Sequence, residues 1–279
     1  MGKVFGHCDL ASGYWQIPLR SQDRHKSAFC THVGLYEFLR LPFGLKTAPN
    51  TFQRILNTVF ADYLHQWLTV YVDDIIMWAQ THHDALRSYE LLFARAVKVG
   101  IQFKPTKCTF FAKELQVLGH TITEHGRKPN SKGVEAITSM EPPSNTTSLK
   151  RFLGLCNFFR DYIPNMPSRT QHLRQLLKKD TPFQWTPNHT KEFEDLKVAV
   201  TSPNVMLFHP DWNSPFELHV DASKLGCGAM LAHNQLRPVR FASRAFSPAE
   251  SRWHTLQQEL FAVKWGLEHF RPYLRSCYY

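Results

Sequence analysis

The sequence predicts a mixed α+β fold organised in more than one region. Strand-like and helix-like runs alternate up to about residue 125, a polar segment with Pro142 and Pro143 follows, and the last part holds three strand-like runs before a long helical run. At 279 residues, 43% of them apolar, the chain can bury the core of one large domain or of two modest ones. These observations predict three regions, 1–125, 126–212 and 213–279.

The first region combines strands with two amphipathic helices. KVFGHCD predicts a strand that ends at Asp9, and LTVYVDDIIMWA, residues 68–79, predicts a β-hairpin because β-branched and aromatic residues suit a half-buried sheet. Apolar residues at helical spacing predict helices over 47–64 and 82–101. The run 108–123 returns to strand periodicity.

The second and third regions are predicted to be helical first and then strand-rich. In the last helix, Leu256, Leu260, Val263 and Leu267 are expected to face a core. Helices are predicted over 131–139, 146–164, 168–180, 191–202 and 248–274, and strands over 216–223, 226–234 and 237–246.

Charge and cysteine usage narrow the function classes. Thirty-three Lys and Arg against 23 Asp and Glu give a net charge of +10, which favours a polyanionic partner, nucleic acid before membrane. No apolar run approaches the roughly 18–20 residues of a membrane span, and no signal-peptide pattern opens the chain. The six cysteines, without a CxxC pair, are predicted to be reduced thiols in an intracellular protein.

Two adjacent aspartates, Asp73 and Asp74, stand inside the apolar hairpin run. Neighbouring strand residues point to opposite faces, so the pair can share one ion only at a hairpin tip, where the flanking β-branched runs place it. A solvated turn is the alternative. With Asp9 at the end of the first strand, the three carboxylates predict a hard-oxygen site for magnesium, and two such ions serve in-line displacement at phosphorus.

Seven blocks of the sequence belong together by their order and spacing. They are CDLASGYWQIPL, AFCTHVGLYEFLRLPFGLKTAPNTFQ, VYVDDIIMWA, KCTFF, VLGHTIT, LKRFLGLCNFFRDYIP and FHPDWNSPFELHVDASKLGCGAML. In this order and spacing they resemble reverse transcriptases from long-terminal-repeat retrotransposons, and the gypsy class most. The resemblance implies a right-hand polymerase palm with partial fingers, a helical thumb and connection, and then a truncated RNase H-like α/β domain.

The resemblance implies a catalytic role for the three palm aspartates. Asp9, Asp73 and Asp74 would hold two Mg²⁺ ions, with Mn²⁺ as an alternative, and Leu10 would offer its backbone carbonyl. Tyr14 resembles the aromatic gate that clashes with a ribose 2′-hydroxyl; a core aromatic is the alternative.

Six further positions resemble parts of the substrate and primer sites. Phe43 would line the nucleotide pocket with Gln53 packed beneath it. Lys107 would lie near the triphosphate as a candidate acid for the pyrophosphate leaving group. Leu118, Gly119 and His120 resemble the hairpin that grips the primer end.

The third region resembles the start of an RNase H domain. Asp221, predicted at the end of a strand, and Glu259, on a helix, would be its first two metal ligands. The family's third carboxylate lies in a TDH block further on and its fingers continue upstream of Lys3, so the chain is expected to be a piece of a longer protein. We therefore expect no effective RNase H activity, and doubt polymerase activity of the piece in isolation.

The resemblance also implies the partners. They are an RNA template, a DNA primer or RNA–DNA hybrid, a deoxynucleoside triphosphate (dNTP), and the remainder of the Pol polyprotein with its protease and integrase. No membrane partner is expected. The protein can be an oligomer or a monomer, and the resemblance does not decide between them. The protein would act in the cytoplasm, within a virus-like particle, or in the nucleus. Alternative functions are a catalytically inactive nucleic-acid-binding remnant, or an RNA–DNA hybrid nuclease if completed downstream. Basic residues expected to contact phosphates are Lys150, Arg151, Arg160, Arg174, Lys178 and Lys179.

Overall fold

The structure, a computed structural model, describes residues 2–202, 206–233 and 237–275. Two compact units are formed by Met1–Leu115 and Gln116–Tyr279; the three predicted regions stay a prediction. Five cysteines are unpaired, as predicted, whereas Cys277 and Asn234, the last residue of a predicted strand, lie outside the described residues. No helix in the described ranges has the length and apolar character to cross a bilayer.

The first unit is an antiparallel sheet packed against two helices, in the strand order β4-β5-β1-β6. Its core joins Phe52 and Leu56 of the first helix and Leu92 of the second to Ile75 and Met77 of the central strand. The elements are β1 (Val4–Asp9), β2 (Phe29–Thr31), β3 (Gly34–Tyr36), α1 (Ala48–Val59), β4 (Leu68–Tyr71), β5 (Asp74–Ala79), α2 (His82–Val99) and β6 (Thr109–Ala112).

The predicted helices of this unit are both present, but α1 ends at Val59 instead of residue 64. The chain reverses there, because the His65 N–H donates to the Leu68 carbonyl and Leu64 forms a bridge with Leu68. The residues that were expected in the last helical turn therefore lead into β4.

The second unit holds a helical core and two small sheets, ordered β10-β9-β8-β7 and β11-β12-β13. The predicted buried face of the fourth helix is confirmed, since Leu149, Phe152, Leu153, Cys156 and Phe159 are all buried. The elements are β7 (Glu114–Val117), which spans the unit boundary, β8 (His120–Thr123), β9 (Gly126–Pro129), α3 (Ser131–Thr138), α4 (Thr146–Phe158), α5 (Met166–Arg169), α6 (Gln171–Gln175), α7 (Pro187–Thr201), β10 (Leu207–Phe208), β11 (Glu217–Ser223), β12 (Gly226–His233), β13 (Arg237–Ala245), α8 (Thr255–His269) and α9 (Arg271–Leu274).

Four predicted helices of this unit have different bounds, and α4 ends at Phe158 instead of residue 164. The single helix over 168–180 is wrong: α5 and α6 are separated at Thr170, whose buried hydroxyl donates to the Met166 carbonyl and accepts from Arg174 Nε. Helix α7 begins earlier than predicted because Thr186 and His189 form a capping box around Pro187. Helix α8 begins at Thr255 because His254 caps the Leu256 N–H.

The predicted core face of α8 is also wrong. Leu256 and Leu260 are each 62% exposed, and Val263 and Leu267 are exposed as well. Gln258, Ala262 and Gly266 are the buried residues of this helix. The reason is close packing: a Cβ at Gly266 would lie 3.1 Å from Val220 Cγ1, so only small residues fit where α8 meets β11.

The two faces of α8 should respond differently to substitution. Ala262→Leu adds volume at a fully buried position and should lower the free energy of unfolding by about 1–3 kcal/mol. Leu260→Gln changes an exposed side chain and should stay within about 0.5 kcal/mol. Urea unfolding of both variants measures this, and a large loss for Leu260→Gln alone would contradict the observed face.

Candidate active site

Strand pairing brings the three palm aspartates together. Strands β1 and β5 are antiparallel, with Asp9 directly opposite Asp74. Tyr71 pairs with Asp74, so Val72 and Asp73 form a two-residue turn, and the acidic pair lies at the hairpin tip. The Leu10 N–H donates to the Asp73 carbonyl at 3.1 Å, which ties the end of β1 to this tip.

Two of the three carboxylates have a basic partner. Lys107 Nζ lies 3.1 Å from Asp9 Oδ2, and His7 Nε2 lies 2.7 Å from Asp74 Oδ1. The Asp73 Oδ1 atom is buried and has no hydrogen-bond donor among the described residues. Burial raises the pKa of Asp73, the charges of Asp9 and Asp74 raise it further, and Lys107 opposes them. Asp73 is therefore the carboxylate with the least compensation for its charge.

This donor set fits a divalent cation, on the evidence of the orphaned Asp73 oxygen. Carboxylate oxygens are the ligands that magnesium prefers, and a cation would reverse the unfavourable electrostatics at Asp73. The side chains are not arranged around a common point, since the described residues contain no group of three or more His, Cys, Asp or Glu residues with metal-binding geometry. Binding would thus require the side chains of Asp9 and Asp74 to turn away from Lys107 and His7.

The hairpin turn is held by Gln53 of α1. Its Nε2 donates to the Val70 carbonyl at 2.9 Å, and its Oε1 accepts from the Val72 N–H at 2.7 Å. Val72 has a φ of +50°, a left-handed conformation that is unfavourable for a β-branched residue. Gln53 was predicted to pack beneath Phe43, whereas these hydrogen bonds connect it to the backbone of Val70 and of the strained Val72 itself.

The loop after β1 approaches the aspartates closely. A Cβ on Gly13 would overlap Asp73 Oδ1 and would lie 2.8 Å from the Phe52 ring. Only glycine fits here without displacing the catalytic candidate. The glycine therefore sets how near the loop carrying Tyr14 can come to Asp73.

Aromatic side chains form a wall beside this loop. The Tyr14 ring packs edge-on against Phe43, with centroids 5.1 Å apart, and against Phe52 at 5.0 Å. Tyr14 is half-buried and contacts the core, while Phe43 is 61% exposed. Tyr14 thus contacts the core, consistent with the core alternative, and is still partly exposed beside Phe43, as a gate requires.

The predicted primer-grip residues form a tight hairpin in the second unit. Leu118 and Gly119 link β7 to β8 with φ values of +50° and +80°, the pattern of a type I′ turn. A Cβ on Gly119 would lie 2.6 Å from the Phe158 ring. The His120 ring stacks on Phe158 with a centroid distance of 5.6 Å.

The predicted RNase H ligands lie on neighbouring elements of the second unit. Asp221 was placed at a strand end, and this is wrong: it is exposed inside β11 opposite Gly228, because pairing continues to Ser223. Glu259 lies on α8, the helix that packs over β11. Their role as metal ligands stays a prediction.

The basic residues expected to meet phosphates are all exposed. Arg160 and Arg174 line one cleft of about 450 Å³, together with Arg244 and His269. Arg160 Nη2 donates to the Ser243 carbonyl at 3.0 Å, which holds its guanidinium at the cleft. The cleft offers positive charge to an anion.

His7 and Gly13 belong to the site but were not predicted from the sequence. His7 stands two residues before Asp9, and the period of a strand puts both on one face, so its contact with the acidic cluster could have been expected. Gly13 gave only the signal of a turn. Its contact with Asp73 joins residues 60 positions apart, so no local pattern indicates it.

Two family models match the chain. Residues 2–122 match reverse transcriptase (RNA-dependent DNA polymerase), and residues 185–278 match the RNase H-like domain found in reverse transcriptase.

Curated relatives are retrotransposon polyproteins. The chain is 38% identical to the retrovirus-related Pol polyprotein from transposon 412 of Drosophila melanogaster, over 98% of this chain and 22% of the relative. It is 36% identical to that from transposon 297 of the same fly, over 98% and 26%. It is 31% identical to the transposon Tf2-3 polyprotein of Schizosaccharomyces pombe, over 98% and 21%. The chain thus spans about a fifth to a quarter of these relatives.

Solved structures share the fold. The foamy viral protease-reverse transcriptase in complex with an RNA/DNA hybrid matches with a TM-score of 0.86 and 25% identity, over 98% of this chain and 37% of that one. The dRH form in complex with double-stranded DNA matches with a TM-score of 0.88 and 24% identity, over 98% and 48%.

The charge on Asp73 should destabilise the metal-free protein at neutral pH. Because the folded state raises the pKa of Asp73, the folded protein holds this proton more tightly than the unfolded chain, and stability is lost as pH rises through the raised pKa. Asp73→Asn should therefore melt higher than the parent at pH 7.5 in chelator. The gain should shrink as pH falls towards 4.

Thermal unfolding at the two pH values measures this. Asp195→Asn, on an exposed position of α7, controls for the loss of one negative charge from a basic protein. A gain of equal size at both pH values would contradict the electrostatic cause.

Proposed function

We propose that this chain carries the nucleotide-adding centre of an RNA-directed DNA polymerase, because it belongs to the reverse transcriptase family. It corresponds to the reverse transcriptase and RNase H region of a gypsy-class long-terminal-repeat retrotransposon Pol polyprotein. The primer 3′-hydroxyl attacks the α-phosphorus of a dNTP and pyrophosphate leaves. The observation that carries this proposal is the pairing of Asp9 opposite Asp74, together with the buried Asp73 oxygen that has no hydrogen-bond donor among the described residues.

The proposed substrates are an RNA template with a DNA primer, and a dNTP. The foamy viral relative binds an RNA/DNA hybrid in one structure and double-stranded DNA in others. The net charge of +10 and the arginine-lined cleft support a polyanionic duplex held by its phosphates, which gives affinity without sequence preference. We place this activity inside the cell, in the cytoplasm or nucleus, with the rest of the Pol polyprotein as a partner.

Asp9, Asp73 and Asp74 are the proposed ligands of two magnesium ions. Bound there, the ions would lower the pKa of the attacking hydroxyl and neutralise charge on the leaving phosphates. The chain's own part is positional: Gln53 fixes the turn that carries Asp73, and β1–β5 pairing fixes Asp9 against Asp74. Rigid placement of charged groups supplies most of the acceleration in phosphoryl transfer.

Lys107 is proposed to serve the leaving group. Its ammonium is more than half exposed and ion-paired to Asp9, so a triphosphate can compete for it. Once turned to the β- and γ-phosphates, Lys107 Nζ would stabilise the departing pyrophosphate and donate a proton to it.

Loss of the Asp73 charge should abolish nucleotide addition. In the Pol protein that contains this chain, Asp73→Asn should reduce primer extension on an RNA template by at least about 10²-fold, because an amide cannot replace a carboxylate as a cation ligand. Hybrid affinity should stay within about twofold, since the phosphate contacts are elsewhere.

The matched control Asp195→Asn should extend primers like the parent. Retained synthesis by Asp73→Asn would remove this residue from the mechanism. An inactive parent that still binds hybrid with chelator-independent affinity would instead favour the catalytically inert remnant.

Removing the Tyr14 ring should relax sugar selection. Tyr14→Ala opens the wall between Phe43 and Phe52 and should raise incorporation of ribonucleotides relative to dNTPs by at least about 10-fold. Single-nucleotide kcat/KM ratios measure this. Trp15→Ala, which removes another ring that packs on Phe43, is the control. An unchanged ratio for Tyr14→Ala favours the core-aromatic alternative.

A further inference from the structure

His120, in the hairpin of the second unit, is held from one side by Tyr162. The Tyr162 hydroxyl lies 2.9 Å from His120 Nδ1. Tyr162 is 2% exposed, and the His120 ring is also fixed by stacking on Phe158, with planes only 8° apart. These contacts leave the imidazole one orientation, with its other nitrogen, Nε2, turned from the tyrosine.

The direction of this hydrogen bond follows from what each group can donate. Among the described residues, His120 is the partner found for the Tyr162 hydroxyl, so a proton on Nδ1 would leave the buried phenol proton without an acceptor, which costs free energy. Burial raises the pKa of Tyr162 to about 12, so the phenol keeps its proton. Tyr162 therefore donates to Nδ1, and the proton of a neutral His120 resides on Nε2.

The surroundings keep His120 neutral at pH 7. Burial is the main cause that lowers the pKa of His120, and the charge of Arg127 lowers it further, whereas the charge of Asp161 acts in the opposite direction. Arg127 lies over the Tyr162 ring at 5.7 Å from the centroid and 3.2 Å from Asp161. Arg240 Nη2 also donates to Asp161, at 3.3 Å. Tyr162 thus lies between His120, which stacks on Phe158, and the ion-paired Arg127.

We propose that Tyr162 is a positioning residue that fixes His120 as the neutral Nε2–H tautomer, so that Nε2 presents a hydrogen-bond donor to a backbone phosphate of the primer strand. The ligand in this inference, a primer phosphate, rests on the proposed function. The tautomer of His120 rests only on the geometry of the second unit. An uncharged donor orients the phosphate without binding it as strongly as a full positive charge would. It can therefore bind a phosphate oxygen and release it as the primer moves by one nucleotide.

The tautomer of His120 can be determined by a measurement that does not depend on enzymatic activity. Long-range ¹H–¹⁵N correlation spectra of the ¹⁵N-labelled chain at pH 7.5 should show an acceptor-type Nδ1 and a protonated Nε2 for His120, identified by its loss in His120→Gln. In Tyr162→Phe the His120 signals should move towards a mixture of tautomers. Tyr89→Phe, which removes another buried hydroxyl, one that accepts from the Phe111 N–H, should leave them unchanged.

Duplex binding tests the role of the donor. In the Pol protein that contains this chain, Tyr162→Phe should raise the Kd for a primer–template hybrid, and the KM for primer, about 3–10-fold, with kcat within twofold. His120→Gln, whose amide nitrogen reaches the place of Nε2, should keep most of the affinity, whereas His120→Asn, which mimics Nδ1, should not.

The outcomes separate the two proposals. A protonated Nδ1 in the parent, or an unmoved spectrum in Tyr162→Phe, overturns the positioning role, as does a His120→Asn variant that binds as well as His120→Gln. If the chain gives the expected spectrum but the Pol protein that contains it shows no primer extension, the result counts against the polymerase function and leaves the tautomer assignment standing.

Discussion

The antiparallel register of β1 on β5 is the constraint on which the acidic cluster depends. It sets Asp9 opposite Asp74 and Cys8 opposite Ile75. Cys8 and Ile75 are fully buried. A slip of one residue would turn Asp9 to the other face and Cys8 out of the core. The hydrophobic burial of alternate residues therefore forces like charges together, at an electrostatic cost that the folded chain only partly offsets through Lys107 and His7.

This partial compensation has a chemical consequence. A site in which each carboxylate had its own basic partner would be stable without a cation and would compete against one. Here Asp9 is paired with Lys107 and Asp74 with His7, whereas a buried oxygen of Asp73 has no donor among the described residues. Burial and the neighbouring like charges raise the pKa of Asp73. Stability is lost at the point where a bound divalent cation would restore it, which is the usual relation between a functional site and its fold.

Local patterns predicted the parts of the molecule that local forces decide. The hairpin at 68–79, the strand ending at Asp9 and the buried face of α4 follow from period and residue type. The exposed leucines of α8 could not be predicted this way, because the small residues at the contact with β11 decide which face is buried, and helical spacing fits either face. The same holds for Gln53 and Gly13, which act on residues far away in sequence.

The two hairpins that carry predicted site residues share one structural device. Val72 and Leu118 are both non-glycine residues at a φ of +50°, and such turns persist only where neighbouring structure holds them. At the first, Gln53 hydrogen-bonds the Val70 carbonyl and the N–H of Val72 itself; at the second, Phe158 fills the space over Gly119. In each case a side chain from an adjacent helix replaces the stabilisation that a favourable turn sequence would supply. The conformation of each tip is thus coupled to the packing of a helix, so a rigid helix can place a short turn accurately without the turn being stable by itself.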